Sequence, residues 1–218
     1  CSFQNVSNID LYSKIKNEII KTYPENGESI VIKGDDDYVF QITTGENEIN
    51  SLNGNYNNSY NLSMIDLGKC EKLLKEENEI DDETELIIFK FEKLSSQASE
   101  KNVQYEIYDP NTKKQLNLSI CKSTSIDLYI PITLNEETQS LYIQLSEQGY
   151  DLFNENDSFY QDVCAKYTSE NGTDVLLSDR QSDFYNTSET TCQANCQYSA
   201  YLSDSQYLKC ECGVVNED

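Results

Sequence analysis

Apolar and polar positions alternate most regularly between residues 85 and 146. In "ELIIFKFE" (85–92), Ile87, Phe89 and Phe91 share one face; "VQYEIY" (103–108) alternates Tyr105 and Ile107 with polar neighbours. "QLNLSIC" (115–121) directs Leu116, Leu118 and Ile120 inward and Asn117 and Ser119 outward. "SIDLYIPITL" (125–134) repeats the pattern with Ile126, Leu128, Ile130 and Ile132, and "SLYIQLS" (140–146) with Leu141, Ile143 and Leu145. A period of two is the mark of a half-buried strand. Five such runs, with "YDPNTK" as a Pro-led turn between two of them, predict an antiparallel sheet, sandwich-like. Pro131 inside the fourth run predicts an edge strand or a bulge, because proline lacks the ladder donor.

Before this stretch the pattern changes. "DLYSKIKNEIIKTY" (10–23) spaces Leu11, Ile15 and Ile19 by four, which predicts a helix started by Asn8 or Asp10 and stopped by Pro24. "SIVIKG" and "YVFQIT" read as strands, the second with Tyr38, Phe40 and Ile42 on one face. Asp35, Asp36 and Asp37 lie between them as a hairpin turn; the alternate acids and closing Glu of a calcium loop are missing. Residues 47 to 61 read as an exposed Asn-, Gly- and Ser-rich loop. "DLGKCEKLLKEEN" (66–78) reads as a second helix capped by Asp66, with Leu67, Cys70, Leu73 and Leu74 on one stripe, so Cys70 faces the core as a half-cystine. "EENEIDDETE" (76–85) is a solvated charge cluster. After Gly149 the periodicity fades into a loop-rich lobe held by cross-links rather than by a large core.

The fold expected is therefore mainly β with two short helices (α+β): an antiparallel sandwich-like core and then a disulfide-stapled C-terminal lobe. Three stretches follow from it: an N-terminal α+β lobe (1–64), an antiparallel β domain with a leading helix (65–149) and a cysteine-rich lobe (150–218).

Chemistry narrows the function. The 218 residues carry a net charge of −23, which repels nucleic acid and anionic membrane surfaces. No stretch approaches the roughly 20 apolar residues of a membrane span. There is no His, which removes Ser-His-Asp and Cys-His nucleophiles and His metal ligands. Ser178 in "SDR" has no base and no S-x-x-K lysine, "GTD" (172–174) is a turn, and no glycine loop for phosphate is present. The expectation is a protein that is not an enzyme and uses no cofactor or metal.

The eight cysteines are Cys1, Cys70, Cys121, Cys164, Cys192, Cys196, Cys210 and Cys212. The spacings C-x3-C and C-x-C without His argue against zinc, and no redox C-x-x-C occurs. An even count among Tyr, Ser and Asn reads as disulfides. Cys210 and Cys212 are expected to reach back to Cys192 and Cys196, or one of them to Cys164; with about 105 pairings possible, the rest stay open. The sequon N-x-[S/T] occurs at Asn5, Asn57, Asn61, Asn117, Asn156, Asn171 and Asn186, which predicts N-linked glycans on an extracellular surface. Tyr198, Tyr201 and Tyr207 would suit an adhesive face, but Tyr equally fills disulfide-rich cores, the reading preferred here. Cys1 at the start and "VVNED" at the end predict a piece of a longer or processed chain.

"IDLGKCEKLL" (65–74), "NVQYEIYDPNTKKQLNLSIC" (102–121), "YTSENGTDVLLSDR" (167–180) and "KCEC" (209–212), in that order, resemble a cysteine-rich extracellular module of large surface and membrane-anchored proteins of ciliates. The resemblance covers about two thirds of the chain, from Ile65 to Cys212. It implies Cys70, Cys121, Cys164, Cys192, Cys196, Cys210 and Cys212 as the module's cysteines, and Asn117 and Asn171 as its recurring sequons; it supplies no catalytic residue. Cys1 has no counterpart in it. The function expected is a structural glycoprotein module of a coat, glycocalyx or filament on a cell or ciliary surface, partnered by copies of itself or sister modules. The alternative is a ligand-binding or adhesive receptor ectodomain dependent on sugar or calcium.

Overall fold

The computed structural model describes residues 8–25, 27–34, 38–54, 61–95, 101–165, 167, 175–184 and 190–214, with side chains from Lys14 onward except that of Asp183. Two antiparallel sheets of four strands each make the framework. The first has the order β1 (Ile30–Lys33), β2 (Tyr38–Thr44), β4 (Ile87–Lys93), β5 (Gln104–Tyr108). The second has the order β3 (Met64–Asp66), β6 (Ser125–Pro131), β8 (Tyr207–Gly213), β7 (Cys196–Leu202). The chain is thus mixed α+β, mainly β. Each sheet takes strands from more than one of the three stretches read from the sequence.

The alternation in "ELIIFKFE" is real, and both of its faces are covered. Ile87 and Phe89 pack with Ile42, Tyr108 and, from α1 (Asn8–Thr22), Ile19 and Ile20, followed by Tyr23. Ile88 and Ile107 turn the other way into the main core with Ile126, Leu128, Ile130, Leu208 and Cys210. The stripe of α1 is rotated from the one expected: Ile19 and Ile20 pack inward, whereas Ile15 is 39% exposed. The start of that helix, with its expected caps Asn8 and Asp10, lies outside the described side chains.

Several other expectations need correcting. "SLYIQLS" is not a strand; it lies in α4 (Glu136–Glu147), started by Asn135, whose side chain accepts from Thr138 N–H. Glu136 and Glu137 suit the positive end of that helix, and Leu145 buries completely. "QLNLSIC" leads into a 3-10 turn, Leu118–Ser123, capped by Asn117. Residues 47 to 61 are in part helical: α2 (Gly45–Leu52) begins on Thr44, whose hydroxyl accepts from Asn47 N–H. Asp66 ends β3 instead of capping a helix; α3 (Lys69–Glu77) starts after Gly68, whose N–H Asp66 holds at 2.8 Å. Cys70 and Leu74 do face the core.

Pro131 closes β6, a central strand and not an edge strand. It pairs with Tyr207, two positions past the last β3 partner, Tyr129, so its missing N–H breaks no ladder. Within the C-terminal stretch, β7 and β8 form a hairpin that extends the second sheet. Between residues 150 and 184 an aromatic cluster around Phe159 joins Tyr150, Tyr160, Tyr167 and Phe184. Fully buried Arg180 lies over the Phe159 ring and donates to the carbonyls of Phe159 (2.5 Å) and Asp162 (2.9 Å).

Candidate functional site

Six of the seven described cysteines pair, as Cys70–Cys121, Cys192–Cys210 and Cys196–Cys212. The first ties α3 to the 3-10 turn; the others staple the β7–β8 hairpin. Cys164 does not join them: it is an exposed thiol on the turn after α5 (Ser158–Gln161), its N–H held by Asp162. Cys1 lies outside the described residues. Of the sequon asparagines, Asn61, Asn117 and Asn156 are described and all three are exposed; Asn5, Asn57, Asn171 and Asn186 lie outside, as do Asp35, Asp36 and Asp37. Tyr201 and Tyr207 are buried, and Tyr198 donates to both Asp151 oxygens at 2.9 Å, so these tyrosines pack and do not form an open face. The Ser178 hydroxyl bonds its neighbour Asp179.

Four buried charges link the two sheets. Glu48 of α2 accepts from Lys90 of β4 and from Ile65 N–H (2.9 Å). Lys90 also donates to Ser63 C=O at 2.5 Å. Glu92 accepts the Ser63 N–H and hydroxyl, each at 2.8 Å, and Lys101 donates to Asn61 C=O at 2.9 Å while lying 3.9 Å from Glu92. β3 is the outer strand of its sheet, and here carboxylates replace the neighbour strand its N–H groups lack. Burial holds the Lys101 ammonium below its usual range; Glu92 pulls the other way, and Lys90 adds to the lowering.

A groove of about 810 Å³ runs along the free edge of β5, between it and the loop leading into β7. Its lining holds six primary amides: Asn102, Gln104, Gln115, Asn117, Gln193 and Asn195. Phe89, Phe91 and Tyr105 supply rings, and burial pushes the Tyr105 phenol up to about 12. Glu106 is the charged residue of the lining. Lys16 neutralises it with bonds of 2.8 and 2.9 Å to its two oxygens, and Tyr108 also donates to it.

The backbone of β5 is stopped at each end. Gln193 gives and takes a bond with Val103 (2.9 Å from Val103 N–H, 3.4 Å to its carbonyl), and Leu116 N–H donates to Ile107 C=O at 2.8 Å. Strand alternation turns Tyr105 N–H and C=O to that same side, into the groove, with no partner among the described residues. Of this site the sequence pattern singles out Asn117 and the faces of Phe89, Phe91 and Tyr105. The amides gather from three separated segments, which no local pattern announces.

Among the described residues no group of His, Cys, Asp and Glu is placed to hold a metal ion, and no helix is long and apolar enough to cross a membrane. No protein-family model, no curated protein and no solved structure matches the chain.

Proposed function

We propose that this chain is a non-enzymatic structural glycoprotein module of an extracellular coat, glycocalyx or filament, carried in a longer chain of the ciliate surface type that it resembles. The observation that carries this reading is the set of three disulfides, one within the β7–β8 hairpin and one from its approach to β8. Such bonds persist in an oxidising compartment and are reduced in the cytosol. The exposure of Asn61, Asn117 and Asn156 and the charge of −23 support a solvated, glycan-bearing surface. The lack of His supports a non-catalytic role. Peptide mapping of the native protein without reductant, before and after glycan removal, tests this: cross-linked cysteine peptides and occupied sequons are expected, and free thiols with bare asparagines would overturn it. A second reading, a ligand-binding or adhesive ectodomain, is favoured by one observation, the amide-lined groove along β5.

A further inference from the structure

We infer that the β5 groove is a seat for an uncharged oligosaccharide. Charge excludes ionic ligands: the groove's carboxylate is already bonded by Lys16, and a chain of −23 repels anions. Purely apolar ligands are excluded because the amides of Asn102, Gln104, Gln115 and Asn195 and an open backbone donor–acceptor pair at Tyr105 would lose water without compensation. What remains must offer many neutral groups that both donate and accept. Primary amides do the same, and sugar hydroxyls meet them at either end. The half-buried ring of Tyr105 supplies apolar surface for the C–H face of a pyranose.

A source for such a ligand lies on the rim. Asn117 is at once an exposed sequon asparagine and part of the lining. A glycan on it starts at the groove mouth. The same chemistry can arrive on a neighbouring molecule, cross-linking a glycan-rich coat. The inference goes beyond the coat reading and rests on it only for the supply of glycans. The disulfide and sequon map can therefore stand when the groove fails, and the reverse.

The test uses the whole oxidised chain, glycosylated and enzymatically deglycosylated. It is titrated by calorimetry with neutral oligomers of glucose, of mannose and of N-acetylglucosamine, with heparin as the anionic probe. The deglycosylated chain is expected to bind at least one neutral oligomer and not heparin. The double variant Gln104→Ala, Gln115→Ala changes two exposed side chains and should weaken binding at least tenfold with Tm unchanged. Amide shifts of Tyr105 and Ile107 in nuclear magnetic resonance give a reading on the unaltered chain. In the glycosylated chain, Asn117→Gln separates the sources: binding that appears only in this variant assigns the groove to its own glycan, and equal binding in both assigns it to an external one. No binding of any neutral oligomer, preference for heparin, or binding that leaves the Tyr105 amide unmoved would overturn the inference.

Discussion

The two sheets are held by opposite means. The second sheet has a disulfide between β7 and β8, another from the β7 approach to β8, and a third clamping the α3 and 3-10 segments against it. The first sheet has no disulfide among its described residues. It relies on the Tyr38, Phe40, Phe89 and Phe91 rings on one face and on Lys90 and Glu92 on the other. Covalent bonds stabilise chiefly by constraining the unfolded chain. Buried ion pairs act in the native state, where removing one partner costs far more than the intact pair contributes. One sheet should therefore yield to reductant and the other to single charge deletions.

The largest expected effect comes from reduction. By loop closure, Cys70–Cys121, with a sequence separation of 51, contributes about 4 kcal/mol, and separations of 18 and 16 about 3 kcal/mol each. Urea unfolding with and without reductant should show the reduced chain unfolded or nearly so, and Cys70→Ser with Cys121→Ser should cost more than opening either hairpin bond. Next is Lys90→Met, which strands the Glu48 carboxylate and should cost about 3–5 kcal/mol. Adding Glu48→Gln should recover part of this, a non-additivity measurable in a double-mutant cycle. Equal additive losses would mean that the pair does not join the sheets.

Alkali should act more moderately. Burial raises the Tyr23 and Tyr105 phenols to about 12, with Asn47 opposing and Glu48 reinforcing the effect at Tyr23. Their folded values lie above the unfolded value of about 10, so this contribution is fully present below pH about 10 and is lost as pH rises toward 12. Denaturant unfolding across that window should show the decline, and Tyr23→Phe should flatten it. A smaller loss, about 1 kcal/mol, is expected from Tyr38→Ser, which removes the ring stacked on Phe91 at 4.9 Å. Lys21→Ala breaks an exposed pair with Glu18 and should change stability by less than about 0.5 kcal/mol.

What the sequence discloses follows the same division. The strands of residues 85–92, 103–108 and 125–131 are legible because each alternates beside a core that is continuous on one face. "SLYIQLS" alternates equally well, but the preceding Asn-Glu-Glu starts a helix, and Leu141 and Leu145, four apart, pack on one face of it. The β7–β8 hairpin is hidden because part of its pairing is polar, as in Gln197 with Glu211, and its buried face mixes the cystine residues Cys210 and Cys212 with Tyr201 and Leu208. Lys90 and Glu92 occupy positions that alternation alone assigns to solvent; only α2 and the segment before β3, distant in sequence, bury them. The groove depends on the same kind of long-range meeting, with Gln193 reaching Val103 across 90 residues.

The most direct test is the disulfide and glycan map of the native protein, by mass spectrometry of peptides prepared without reductant. The expected map links Cys70 to Cys121, Cys192 to Cys210 and Cys196 to Cys212, with glycans on one or more of Asn61, Asn117 and Asn156. Those six cysteines found as thiols, with all three asparagines unmodified, would contradict the extracellular coat reading.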